Sequence, residues 1–222
     1  QSYQNFEIIL INDDFDNQNI DFINKISNLD PRIRLIHNDK NLGAGLSRNK
    51  AIKLSVGEYI AFCDCDDLWN KNKLELQLNF MKKFNLNFSF TTFEIIDEND
   101  KPIKIRKARN FINFKQLRNS CDIGLSTVII KKKFFDKDKY QFPNLKTKED
   151  YVLWMKLAKD RVIMKGLDRN LSSWRKNKNS LSSSTIQKLK DGYKVYRIHL
   201  GYSRLKSLFF LIVLSINFIL KN

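Results

Sequence analysis

The sequence has few cysteines and histidines, no massed basic stretch and no apolar run of membrane-spanning length, and each shortage narrows what the chain can be. Three cysteines cannot all pair, and Cys63 and Cys65 are poorly placed for an ordinary bridge, so a reducing compartment fits best. No Cys-x-x-Cys pair and no nearby histidine complete a tetrahedral set with Cys63 and Cys65, so zinc is not expected there. The lysines are scattered, as at Lys71, Lys73, Lys82 and Lys83, and no RNA-binding signature accompanies them, so no nucleic-acid partner is expected. The tail 208–220 is nearly all apolar, yet its 13 residues fall short of the roughly 20 that a spanning helix needs. The sequence opens at Gln1 with neither Met nor the charged and apolar regions of a signal peptide, which reads as a missing start.

What is present is a core. Of the 222 residues 42% are hydrophobic, with 17 Phe, 7 Tyr and 3 Trp, enough apolar area to offset the ordering entropy of one substantial domain. The 40 basic residues exceed the 24 acidic ones by 16, which draws in anions: lipid headgroups or phosphorylated small molecules once nucleic acid is set aside.

The apolar runs 6–11, 33–37 and 58–63 read as buried strands, separated by helical segments 20–26 and 43–55. Strand, helix, strand, helix, strand is an α/β order, and the three strands are expected to lie roughly parallel. Helices are expected over 69–84, 114–119 and 149–159, and strands over 87–96, 101–107 and 125–130. From Thr185 the apolar positions Ile186, Leu189, Tyr193, Tyr196 and Leu200 recur at spacings of three and four, an amphipathic helix. The division is therefore a domain over 1–184 and a C-terminal helix and tail over 185–222. Arg204, Lys206 and Lys221 flank that tail, which reads as an anchor at an anionic membrane surface, with packing on the core or on another subunit as the alternative.

In open α/β sheets ligands bind beyond the carboxyl ends of the strands, and two of these ends carry acids: Asp13 with Asp14, and Asp64, Asp66 and Asp67. Three carboxylates within four residues repel one another, so a fold that gathers them in a crevice usually has a cation to hold. Oxygen ligands point to Mg²⁺ or Mn²⁺, which keep several waters and bridge substrate phosphates through one or two protein carboxylates.

The segment NLGAGLSRNKAIKLSVGEYIAFCDCDDLW, residues 41–69, resembles the inverting family 2 glycosyltransferases, in which an N-x-G-x-x-x-x-R-N helix precedes G-E-Y-I-x-F-x-D-x-D-D. SYQNFEIILINDD at 2–14 resembles that family's second strand, KEDYVLWMKL at 148–157 its E-D-x-x-L-W motif, and SWRKNKNSLSSS at 173–184 its Y-R-x-x-x-x-S-x-S segment, with Trp174 in place of Tyr. The resemblance implies a GT-A fold, a Rossmann-like α/β/α sandwich with a mostly parallel central sheet, whose first strand would precede Gln1. It also implies transfer of a sugar from a nucleotide-diphosphate donor, with UDP-sugar the usual case, to a saccharide or lipid-linked acceptor. Such an enzyme would work at the cytoplasmic face of the inner membrane, in cell-surface polysaccharide synthesis.

By position, the resemblance implies that Asp13 accepts a hydrogen bond from the nucleobase, that Asp64 faces the ribose or the metal's waters, and that Asp66 ligates the metal. Arg48 would orient the acidic cluster or reach the diphosphate, or be a structural ion pair. Asp150 would be the base that takes the acceptor hydroxyl's proton. Glu149 would bind acceptor or cap its helix, and Trp154 and Trp69 would stack on sugars or pack in the core. Arg175 and the serines at 180–184 would form a loop closing over the diphosphate. Asp14, Phe15 and Asp16 replace the family's usual small turn, which leaves the choice of base-binding acid open. Two other readings are a sugar-nucleotide nucleotidyltransferase and a non-catalytic basic binding module.

Overall fold

The computed structural model describes residues 1–136, 138–177 and 184–221, apart from the side chains of Asn17 and Gln18. The chain runs β1 (Ile8–Asn12), α1 (Asn17–Ser27), β2 (Ile33–His37), α2 (Ala44–Leu54), β3 (Tyr59–Ala61), β4 (Leu68–Trp69), α3 (Lys73–Lys83), β5 (Phe88–Ile96), β6 (Pro102–Arg106), β7 (Phe111–Ile112), α4 (Phe114–Asn119), β8 (Ile129–Lys131), α5 (Glu149–Lys159), β9 (Met164–Arg175), α6 (Thr185–Lys194) and α7 (Arg204–Lys221).

The α/β expectation holds, but the large sheet is mixed rather than mostly parallel. β1 and β2 pair in parallel, from Ile8 opposite Ile33 to Asn12 opposite His37. β3 does not extend that pair; it runs antiparallel to β8 in a second sheet ordered β3-β8-β5-β9-β4, with β6 added to β5 and β7 to β9. Within this sheet β5 and β9 are parallel, and the other described pairings are antiparallel. Parallel neighbours need a crossover whereas antiparallel ones can be joined by a tight turn, and of these pairs β5 and β6 are joined that way. The turn after β5 is of the second kind: the Asp97 carboxylate accepts the Asn99 and Lys101 N–H groups at 2.8 and 2.9 Å.

Two expected elements change character. The helix expected from residue 69 begins at Lys73, because Leu68 and Trp69 pair with Ser173 and Ser172 of β9 and the Trp69 indole N–H donates to the Ser126 carbonyl at 2.8 Å. The strand expected over 125–130 opens with a 3-10 turn, Leu125–Thr127, before β8.

The core forms around α5, whose Tyr151, Leu153, Trp154 and Leu157 have no solvent exposure. A helix apolar on every side must be covered on every side. Trp154 packs among the rings of Phe88, Phe62 and Phe142, at centroid distances of 5.1, 6.3 and 6.3 Å. Tyr196, from the π-helical turn Val195–His199 that continues α6, covers another side, its hydroxyl 3.3 Å from that of Tyr151. The buried stripe of α6 is not the expected one. Ile186 and Leu189 are left exposed, while Gly192, Val195 and Tyr196 go inside.

α7 docks by one face only. Ser207, Phe210 and Leu214 are buried, and Asn217 and Lys221 bond to the Asn119 carbonyl and the Ser120 hydroxyl. The opposite face presents Leu205, Leu208, Phe209, Ile212, Ile216 and Ile219 to solvent, at helical spacing. No described helix is long and apolar enough to cross a membrane.

Candidate active site

Asp13 follows β1 and organises the turn between β2 and α2. Its Oδ1 accepts the Asn38 amide at 2.7 Å and the Leu42 N–H at 2.8 Å, and its Oδ2 accepts the Gly43 N–H at 2.7 Å. Burial works to raise its pKa, but these donors outweigh it and hold the carboxyl below its ordinary value. Gly43, at φ 79°, lies in the left-handed region where a side chain would be strained. The Ser47 hydroxyl is a further donor to this carboxylate, so the roughly four acceptor positions of a carboxylate are engaged within the chain. Asp14 turns the other way and accepts from Phe15, Asp16 and Asn19 at the entrance to α1, which occupies it locally.

Arg48, on α2, joins the two acidic regions. Its Nη2 donates to Asp64 Oδ1 at 2.6 Å and its Nη1 to Glu149 Oε1 at 2.5 Å. Two features let α2 come this close to the start of α5. Gly45 faces it, where a Cβ would stand 2.8 Å from the Pro143 carbonyl and 3.3 Å from Glu149 Cγ, and Asn49 bonds to the backbone of Phe142 in both directions. Arg48 is thus an ion-pair bridge between Asp64 and Glu149. Glu149 is buried in that bridge.

Within the cluster the three acids face different ways. Asp64 takes Arg48. Asp67 is buried, accepting the Ser126 hydroxyl at 2.5 Å and the Arg175 N–H at 3.1 Å. Burial pushes its carboxyl up to about 6. The Asp66 carboxylate has no hydrogen bond or ion pair to the described residues, which leaves it open to a ligand. Its carbonyl accepts Arg175 Nε at 3.0 Å. The Arg175 guanidinium also reaches Asp100, at 2.7 Å. No group of three or more His, Cys, Asp or Glu forms a metal cage among the described residues. One open carboxylate beside a partly exposed one suits a hard divalent ion that keeps waters and shares substrate phosphates, so the residues fit Mg²⁺ or Mn²⁺.

Asp150 opens α5 beside Glu149. Its Oδ1 accepts its neighbour's Tyr151 N–H at 2.6 Å, and burial, then the Glu149 charge, push its carboxyl up to about 7. A carboxylate poised near neutrality suits a general base. Trp154, one turn further on, has no exposure and cannot stack on an acceptor; it is a core residue, as the packing demand on α5 requires. Of the expected loop, 178–183 lies outside the described residues.

Sequence reasoning missed Asn38 and Ser126. Asn38 fixes Asp13, while the Ser126 hydroxyl spans the Asp64 N–H, at 3.0 Å, and Asp67. Neither stands in a motif, because each acts through contacts far along the chain.

An α/β sandwich with carboxylates gathered beyond its strand ends, tied by one arginine to Glu149 beside a raised carboxyl on a core helix, is the build of a GT-A transferase. The family model for "Glycosyl transferase family 2" matches residues 1–142, and the chain belongs to that family. A protein of Bacillus subtilis, TuaG, provisionally named a teichuronic acid biosynthesis glycosyltransferase, is 32% identical over 89% of this chain and 78% of its own. WfgD of Escherichia coli, a UDP-Glc:alpha-D-GlcNAc-diphosphoundecaprenol beta-1,3-glucosyltransferase, is 34% identical over 88% of this chain and 75% of its own. The crystal structure of S. aureus TarS 1-349 in complex with UDP-GlcNAc superposes with a TM-score of 0.73 at 20% identity, covering 95% of this chain. The chain spans 63% of the length of that structure. Family membership sets the nucleotidyltransferase and binding-module readings aside.

Proposed function

We propose that this glycosyltransferase moves a sugar from a UDP-type nucleotide donor to a saccharide or lipid-linked acceptor, with inversion, in bacterial surface polysaccharide synthesis. The Arg48 bridge is the observation that carries the reading. It holds the acidic cluster, where a donor diphosphate would lie, against the helix start that bears Asp150. WfgD and TuaG support the lipid-linked acceptor and the polysaccharide setting.

Asp150 takes the proton of the acceptor hydroxyl as its oxygen attacks the anomeric carbon from the face opposite the leaving group. Arg48 and Glu149 fix that carboxyl relative to the donor. Asp66, helped by Asp64, would hold Mg²⁺ or Mn²⁺, and such an ion would offset charge on the departing nucleoside diphosphate. Asp13, at the turn it organises, meets the nucleobase, and Arg175 stands beside the diphosphate. The outward apolar face of α7, with Arg204 and Lys206 exposed at its start, sets the protein on the cytoplasmic face of an anionic membrane.

Titration with UDP, with and without Mn²⁺, tests the donor site. Binding should require the ion and be lost in Asp66→Ala, whereas Asp150→Asn should bind UDP normally and transfer no sugar. Metal-independent UDP binding would remove Asp66 from its role, and normal turnover by Asp150→Asn would remove Asp150.

A further inference from the structure

The approach to α5 carries a group of lysines that the transfer chemistry leaves unused. Thr147 donates through both its N–H and its hydroxyl to the buried Asp191 carboxylate of α6, each at 3.1 Å. Lys148 then takes a left-handed backbone, φ 63°, and lays its side chain along α6, with Cε 3.5 Å from where a Cβ would stand at Gly192. Lys188 lies one turn earlier on that helix, its ammonium 5.8 Å from the Phe218 ring of α7. Lys176 follows Arg175, the residue fastened to the Asp66 carbonyl. Burial and then the charges of Lys148 and Lys176 hold the Lys188 ammonium below its ordinary pKa.

None of the three has a carboxylate within ion-pair distance among the described residues. Gathered cations without a counter-charge repel, and an anion relieves them. Their position selects the anion. Lys148 is two residues from Asp150, and Lys188 borders the apolar side chains of α7, so a bound diphosphate would have the proposed base on one side and hydrocarbon on the other.

We propose that Lys148 and Lys188 seat the diphosphate of a lipid-linked acceptor, with α7 at Phe218 meeting its lipid. The assignment rests on the glycosyltransferase reading and names the acceptor class for it.

Calorimetric titration of the whole chain with farnesyl diphosphate, inorganic pyrophosphate and farnesol tests it. EDTA is included so that no divalent ion can bridge a phosphate to Asp66. Farnesyl diphosphate should bind more tightly than either fragment, and Lys148→Gln/Lys188→Gln should weaken it by about tenfold or more. A charge-matched control, Lys82→Gln/Lys190→Gln, should stay within about twofold of the parent. Mn²⁺-dependent UDP binding should survive in both variants, which shows that they fold. Unchanged farnesyl diphosphate binding by the Lys148/Lys188 variant overturns the proposal, as does pyrophosphate binding as tightly as the lipid, which would mark a site for free phosphate. Failure of the transferase reading is distinct: the parent would then bind no UDP in the presence of Mn²⁺.

Discussion

Arg48 divides its guanidinium between Asp64 and Glu149, and a lysine there could hold one of them but not both, lacking the planar fork. Arg48→Lys should therefore lower kcat by about 100-fold, with UDP affinity changed far less, in a comparison of initial rates with UDP titrations. Asp150 should give the activity profile an ascending limb near pH 7, because a base must be ionised to accept a proton. Its effect on stability runs the other way. The folded protein holds this proton more tightly than the unfolded chain, so the group favours folding at low pH. That contribution is lost as pH rises from the unfolded value of 3.8 through the folded value of about 7. Asp150→Asn should accordingly be more stable than the parent at about pH 8, by on the order of 1–2 kcal/mol, with the gap closing toward about pH 4 in thermal melts.

Between elements, the decisive contact is α2 against the start of α5. Gly45→Ala would press a methyl group onto the Pro143 carbonyl, which is backbone and cannot swing away. The helices must part, so stability should fall by about 1–3 kcal/mol in denaturant unfolding, and kcat should fall with it as Arg48 loses reach. Where local pattern decides an element, the sequence announced it: β1 and β2 are apolar runs, and α5 carries apolar residues around its whole circumference. β9 was not announced. Its twelve residues, MKGLDRNLSSWR, show neither an apolar run nor clean alternation, and the strand is held by β5 on one side and by β7 and β4 on the other. The site divides the same way. The acids stand in motifs at strand and helix ends, whereas the partners that aim them, Asn38 and Ser126, are set by tertiary approach.

For the molecule as a whole, the excess of 16 positive charges and the outward face of α7 bear on one test, that of the proposed membrane contact. Sedimentation with anionic vesicles should capture the protein, and Leu208→Ser/Ile212→Ser should cut the bound fraction by about tenfold while leaving sugar transfer to a soluble acceptor intact. Raising salt to about 0.5 M should weaken capture as well, since the basic flanks contribute through screened attraction. The Arg48 bridge also has a consequence for the order of events. A donor and ion that drew Asp64 toward themselves would leave Glu149 as the remaining counter-charge on the guanidinium, so loading one substrate would alter the setting of the carboxyl that receives the other. The two bindings are then linked, and the factor by which acceptor changes donor affinity must equal the factor by which donor changes acceptor affinity. The enzyme would thereby keep its base from being fully set until the donor is in place, a safeguard against cleaving nucleotide-sugar to water.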